Sequence, residues 1–321
     1  MSKSLKLLLA ATILALLAAA YTVYTTLVAH GEEGIRLGIE FNTHATAAWI
    51  ALHNHMFEKY HIPVAGVVKF RTGVELAAAL KAGEVDAAWA CLAPVLKMVD
   101  HGLRVYIIAA AHYHGYGCVA RPGITSVNDL KKLGTIEAAV TGPGAQTHVL
   151  LLLAEKRYGF RARIRFVKPP AILELVEKGL VDLACMPEHY LSIAESRGLR
   201  VLFTSQDLWP NMPGSYLIVT EKLLREHPEI VCRLYRLNRD AIRYALQHPR
   251  QAAEIDAEYL HIPVSVAERS LSRLKLTWVL NVGEMQKLAD FMYEHGLLKH
   301  RINVSRLIVD VGRLCGWEHG G

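Results

Sequence analysis

Residues 82–105, AGEVDAAWACLAPVLKMVDHGLRV, and residues 178–201, KGLVDLACMPEHYLSIAESRGLRV, are two versions of one sentence. Gly83, Val85 and Asp86 match Gly179, Val181 and Asp182, and Gly102, Leu103, Arg104 and Val105 match Gly198, Leu199, Arg200 and Val201 at the same offset. Upstream the match loosens but keeps its order. IRLGIEF and AAWIALHNHMFEKYHI in the first half answer TIEAAV and THVLLLLAEKRYGF in the second, and AGVVKF answers ARIRFV. A single long repeat of this kind is a duplicated unit rather than a solenoid.

Within the unit, short β-rich runs at 36–41, 67–70, 87–90 and 105–109 alternate with helical spacing at 46–60, 73–82 and 94–100. That alternation predicts parallel strands joined by helical crossovers, and two copies of it predict two α/β lobes. From Glu221 onward the spacing is helical only, broken at Pro228, Pro249 and Pro263. The expected divisions are 1–30 as a signal peptide or anchor, 31–121 as lobe 1, 122–212 as lobe 2, and 213–321 as the return to lobe 1 with C-terminal helices. GYGCVARPG (115–123) is read as the crossing out and PGSYLIVT (213–220) as the crossing back, and two crossovers make a hinge. Asp86 and Asp182, each between a helix end and a buried strand, are read as turn-forming rather than catalytic.

The chain has 321 residues, 52% of them hydrophobic, 21% charged, and a net charge of +6. The charges are interleaved, which excludes a nucleic-acid footprint. Near the start, Lys3 and Lys6 precede an uncharged run from Leu7 to Ala29, long enough to cross a bilayer. This predicts an N-terminal hydrophobic helix, cleaved or retained as a tether, and an extracytoplasmic body. The five cysteines, Cys91, Cys118, Cys185, Cys232 and Cys315, are widely spaced. They argue against a zinc or iron–sulfur cluster and leave room for one disulfide, most being expected as small buried residues.

On these residues the chain resembles the periplasmic substrate-binding proteins of ABC importers in the nitrate, sulfonate and taurine group, which includes binders of thiamine-pyrimidine precursors. The carriers are the L..G.VD.A element of each lobe, ARPGITSVNDLKKLG, AVTGPGAQTHVLLLLAEKRYGF and TEKLLREHPEIVCRLYRLNRDAIRYALQHPRQAAE. The resemblance implies a two-lobed type II periplasmic-binding-protein fold, a small solute in the cleft, and a membrane permease as partner. It implies a monomer with no nucleic-acid partner. The second lobe departs from the usual tryptophan-acid-proline pattern, reading Met186, Pro187, Glu188, His189, Tyr190, and the lipoprotein cysteine of many relatives is missing.

Ligands of open α/β sheets sit at the carboxyl ends of the strands. FNTHATAAW (41–49) and TGPGAQTH (141–148) hold equivalent places there. Asn42, Thr43, His44, Gly142, Gly144, Gln146 and Thr147 are therefore expected at the ligand, with Thr43 or Thr46 and Gln146 or Thr147 capping the helices, whose free N–H groups attract anions. Trp89 and Cys91 follow the first VD, Glu188 and His189 the second, and His112 and His114 precede the hinge. These histidines and Glu188 can be read as a metal set or as the wall for a planar ring beside Tyr116, Tyr190 and Trp209; the wall reading is adopted. No catalytic residue, metal or cofactor is assigned, since Gly-x-Ser-x-Gly, Walker and HExxH motifs are missing. The expected function is delivery of a small anion to a permease, with a heteroaromatic solute as the alternative. An enzyme or a tethered sensor on the same scaffold is the reading from another class.

Overall fold

A computed structural model describes residues 34–317. Lobe 1 opens with β1 (Ile35–Glu40), a 3-10 turn (Thr43–Ala45), α1 (Thr46–His53), α2 (Met56–Lys59) and β2 (Val64–Phe70). It continues through α3 (Gly73–Ala82), β3 (Ala87–Cys91), α4 (Leu92–Asp100) and β4 (Val105–Ala110), and the short β5 (His112–His114) leads out. Lobe 2 runs β6 (Tyr116–Ala120), α5 (Val127–Leu133), β7 (Thr135–Val140), α6 (Gln146–Tyr158) and β8 (Arg161–Phe166). It closes with α7 (Ala171–Glu177), β9 (Leu183–Pro187), α8 (Tyr190–Ser196), β10 (Arg200–Thr204) and α9 (Ser205–Leu208). The chain returns through β11 (Ser215–Thr220), α10 (Glu221–Glu226), α11 (Pro228–Gln247), α12 (Pro249–Leu260) and α13 (Val264–Ser272). Then follow β12 (Leu274–Leu276), α14 (Val282–Glu294) and α15 (Val311–Leu314).

The two sheets have one plan. Lobe 1 is ordered β2-β1-β3-β11-β4 and lobe 2 β8-β7-β9-β6-β10. In each, three parallel strands are followed by one antiparallel strand, β11 or β6, which is the strand delivered by a crossover. The local chemistry supports this frame. In α3, Thr72 caps the start by accepting from Glu75 N, and Gly83 ends it in the left-handed region at φ 73°. In α11, Pro228 stands in the first turn and Ile230, Leu234, Leu237, Ala241 and Ala245 form the buried stripe against the sheet.

The two aspartates of the repeat anchor neighbouring strands. Asp86 accepts from Arg36 N at 2.9 Å and returns its own N–H to Arg36 O at 2.8 Å. Asp182 does the same with Glu137, at 2.9 and 2.8 Å. Each aspartate also holds an arginine, Arg36 or Arg121.

Four details depart from the sequence reading. The chain enters lobe 2 earlier than 121, because Tyr116–Ala120 already pairs antiparallel with β9 and β10. The helix read over 46–60 breaks at His55, which takes a left-handed φ of 52°. Strands do not end at Glu221, since β12 pairs with β5. Four cysteines are bridged rather than two at most: Cys118–Cys185 joins facing residues of β6 and β9, and Cys232–Cys315 ties α11 to the end of α15. Among the described residues no helix is long and apolar enough to cross a membrane. The hydrophobic run at 7–29, and with it the 1–30 division, lies outside the described residues.

Candidate functional site

The hinge is two strands of chain lying side by side. Ala111 N donates to Ser215 O and His114 N to Met212 O, both at 2.9 Å, with Tyr113 bridged to Pro213. Each crossover contributes a glycine that nothing larger could replace. A Cβ on Gly115 would lie 2.7 Å from His44 Nε2, and one on Gly214 would lie 2.5 Å from the His112 ring.

Those glycines connect hinge and cleft. Gly115 O accepts from His44 Nε2 at 2.8 Å. Gly214 O accepts from Leu92 N of lobe 1 and from Gln146 Nε2 of lobe 2, both at 3.0 Å. One carbonyl is thus shared by the two lobes. Further bonds cross the cleft: Lys97 Nζ to Pro143 O at 3.1 Å, Lys168 to Glu75, and Arg273 Nη1 to Glu188 Oε1 at 3.1 Å. The lobes are closed on each other, leaving about 10 Å³ of free space, the room of one water, between Glu40 and Cys91 on one side and Tyr116, Thr141, Gln146 and Thr147 on the other.

The lobe 1 wall is a cluster of buried ionisable groups. Cys91 Sγ donates to Glu40 Oε2 at 2.9 Å and lies 3.5 Å from His44 Nδ1, 3.1 Å from Tyr116 Oη and 3.4 Å from Ser215 Oγ. Burial, and then the Glu40 charge, push the Cys91 thiol well up. Burial also raises Glu40, partly offset by bonds from Cys91, Asn42 and the Gly73 N–H. His44 is pushed down to about 3 by burial, so it is neutral. Because Gly115 O can only accept, the His44 proton is on Nε2 and the Nδ1 lone pair faces Cys91. His112 packs against His44 with centroids 4.5 Å apart and the rings tilted by 47°, is held neutral by burial, and among the described residues its Nε2 has no partner.

Deeper in lobe 1, Thr46 Oγ1 lies 2.6 Å from both Thr43 O and Asp256 Oδ2. Thr46 is the donor to both. Burial raises Asp256 well above the ordinary carboxylate range, opposed by the Thr46 bond.

The lobe 2 wall is made of hydroxyls, an amide and a helix start. α6 begins at Gln146 with no side-chain cap, its N-terminal residues against the cavity. Thr147 Oγ1 accepts from Thr141 N at 3.1 Å, and Gln146 Oε1 is buried without a partner. Glu188 is pushed up to about 7 by burial, opposed by Ser192 and Arg273; its Oε2 accepts from Ser192 Oγ at 2.7 Å. His189, lowered to about 4 by burial, stacks on Tyr190 and leaves Nδ1 unpaired.

The sequence-expected residues divide accordingly. His44, Cys91, Gln146 and Thr147 come together at the cavity or against it, with His112 packed behind His44. Asn42, rather than Thr43 or Thr46, caps the first turn by accepting from His44 N, and Thr43 bonds Ser270. Trp89 faces the core instead, its indole N–H on Asn238 and its ring against Phe57, because that sheet face lies under α11. His114 ends β5 at φ 69°, beside Pro210 and Lys275, so it does not share the His112 environment. Gly142 and Gly144 sit against Val74 and Lys97 of the opposite lobe and let the two lobes approach. Glu40 and Arg273 were missed. The signal for Glu40 was a charge ending the otherwise apolar half of IRLGIE; Arg273 lies too far along the chain for spacing to indicate it.

Residues 29–260 match the model of the NMT1-like family. The chain belongs to this family. The resemblance read from the sequence, to ABC-importer binding proteins of the nitrate, sulfonate and taurine group, is upheld. A taurine-binding periplasmic protein of Escherichia coli (strain K12) is 23% identical to this NMT1-like chain over 212 residues, 64% of each. The chain spans less than two thirds of the length of the curated relatives it matches. Among solved structures, the ligand-binding component of an ABC-type import system from Staphylococcus aureus, with zinc bound, gives a TM-score of 0.78 at 15% identity, covering 86% of this chain and 96% of that one. The periplasmic aliphatic sulphonate-binding protein SsuA of Escherichia coli gives 0.72 at 21%, covering 87% and 92%. These likenesses establish the periplasmic-binding-protein fold. The relatives are substrate-binding proteins, and solute binding is the general activity they share.

Proposed function

We propose that this protein is the extracytoplasmic solute-binding component of an ABC importer, and that it captures a small anionic solute of the sulfonate, taurine or nitrate kind and hands it to a permease without altering it. The carrying observation is the closed cavity lined by both lobes, with the uncapped start of α6 on one wall. N–H groups at a helix start favour an anion through their own hydrogen bonds and the helix dipole. Opening at the two glycine-bearing crossovers admits the solute, and the lobes close on it less tightly than in the structure described, whose cavity has room for one water. Closure is favoured because both walls contact the solute only in the closed state. Two disulfides support an oxidising compartment. The protein acts as a monomer in this reading.

The test is mass spectrometry of whatever copurifies with the protein, followed by thermal shift with taurine, ethanesulfonate and nitrate. One of them should raise the melting temperature in proportion to the logarithm of its concentration above Kd. Recovery of a chemically changed solute after incubation would sink the reading, as would no stabilisation by any anion.

A further inference from the structure

We propose that the lobe 1 wall of the cleft is a binding site for a soft divalent transition-metal ion of the zinc class, held by Glu40, His44 Nδ1 and Cys91 Sγ, with its fourth position open toward Gln146 and Thr147. The assignment rests on the cleft being the solute site and deepens it. A solute oxygen needs a partner on the lobe 1 wall, which an open coordination position supplies, and among the described residues neither lysine nor arginine lines this cavity.

The three ligand atoms all lie within 4.8 Å of one another and all three residues are buried. Tetrahedral zinc, with bonds of about 2.3 Å to sulfur and about 2.0 Å to nitrogen or oxygen, separates its sulfur and nitrogen ligands by roughly 3.5 Å. Cys91 Sγ and His44 Nδ1 are 3.5 Å apart already. The Cys91–Glu40 separation of 2.9 Å, a thiol hydrogen bond, has to open by about 0.6 Å once the proton is replaced by the metal.

The surroundings are those of a ligand set rather than of chance neighbours. His44 gives its other N–H to a backbone carbonyl, the arrangement that fixes the tautomer and orientation of a metal-binding imidazole. The hydroxyls of Tyr116 and Ser215 are placed to donate to the sulfur as a thiolate. An independent observation comes from the other lobe. Gln146 lines the same cavity, is 1% exposed, and has Oε1 without a partner. On binding, one metal–sulfur bond replaces the S–H bond and the proton leaves to solvent. Thiolate and carboxylate together neutralise the dication, and the fourth position takes water or one oxygen of the solute.

The test uses the full-length protein, stripped with chelator and titrated with cobalt alone. A near-ultraviolet sulfur-to-cobalt charge-transfer band should appear and be abolished by equimolar zinc. Cys91→Ser should remove the band, Glu40→Gln and His44→Gln should weaken cobalt binding by roughly tenfold or more, and Tyr116→Phe by about tenfold. His101→Ala, on an exposed histidine, should change nothing. Should Cys91→Ser fail to fold, slowing of Cys91 alkylation by zinc in the unaltered protein replaces it. A band that survives Cys91→Ser, or no band, overturns the assignment. Ethanesulfonate and zinc are then tested singly and together by thermal shift. Stabilisation by ethanesulfonate alone with no cobalt band overturns the metal site and leaves the anion reading standing. A Cys91-dependent band with no stabilisation by any anion, with or without zinc, supports the metal site and overturns the anion reading.

Discussion

Lobe 1 and lobe 2 share a frame and differ at the lip. The same strand order, the same helix-ending glycine, and the same aspartate gripping the neighbouring strand recur in both. At the cavity itself, lobe 1 presents a carboxyl and a thiol with an imidazole behind them, whereas lobe 2 presents hydroxyls, an amide and a bare helix start, its Glu188 and His189 lying off the cavity lining. A cleft closed by two similar halves binds an asymmetric solute only if its walls are dissimilar. The difference therefore lies where function requires it, and the frame is free to stay the same.

The lobes also differ in how they are stapled, and this gives the largest expected effect. Cys118–Cys185 is internal to the lobe 2 sheet, its cysteines 67 positions apart in the chain. Replacing both by alanine should cost about 4 kcal/mol of stability in urea denaturation through the entropy regained by the unfolded loop. If lobe 2 is its own folding unit, an early transition should separate from that of lobe 1. A single transition displaced as a whole would mean that the lobes unfold together.

Next comes the clamp between the C-terminal helices and lobe 2. Arg273 reaches Glu188 at 3.1 Å and Glu195 at 2.7 Å. Arg273→Met should leave Glu188 buried without its cation and disfavour closure by about 2 kcal/mol, below the roughly 3 to 5 kcal/mol of a broken buried pair because Glu188 can take up a proton. Small-angle scattering should show a larger radius of gyration with the melting temperature little changed. An unchanged radius with lowered melting would show that Arg273 holds the fold and not the closed state.

A smaller effect tests the equality of the frames. Asp86→Ala and Asp182→Ala should each cost about 1 to 2 kcal/mol, since each strips a backbone N–H of its partner. The two losses should be similar. If only one destabilises, the duplicated aspartates have diverged in role.

The frame was legible because hydrophobic periodicity and the long repeat are local signals. The strand runs, the helix at 73–82 and the two-lobe plan follow from spacing alone. The site was half legible. Being at a strand end found His44, Cys91, Gln146 and Thr147, but the same rule selected Trp89, which the side-chain alternation of β3 and the overlying α11 turn into the core. Glu40, Ser215 and Arg273 are brought to the cleft by pairings between distant segments, Cys91 with Ser215 across β3 and β11 among them. No spacing within one stretch encodes such a meeting. The second disulfide was hidden for the same reason, since Cys232 and Cys315 are joined by helix packing and not by a motif.

The smallest expected effect concerns acidity. His44 in lobe 1 is lowered to about 3, and His148 and His189 in lobe 2 to about 4, by burial foremost. Each is neutral when folded but protonates near 6.5 when unfolded, so its contribution is present above 6.5 and is lost as pH falls toward the folded value. Glu188, raised to about 7, acts in the opposite sense: its contribution is full below its ordinary 4.5 and is lost as pH rises through 7. Glu40 and Asp256, also raised by burial, work with Glu188. Between pH 6.5 and 4.5 the two groups of residues oppose each other, and the melting temperature should drift downward by only about 3 °C or less, the equivalent of roughly 1 kcal/mol in a protein of this size. Below 4.5 the Glu188 contribution is flat while the histidines still titrate, so the slope should steepen there. His148→Asn with His189→Gln should flatten that lower limb and turn the shallow one toward rising stability as pH falls from 6.5 to 4.5, because only His44 then opposes the raised carboxyls. A constant slope from pH 7 down to 3.5 would mean that the lobe 2 histidines are charged in the folded protein, and that the two lips are more alike in their electrostatics than their residues suggest.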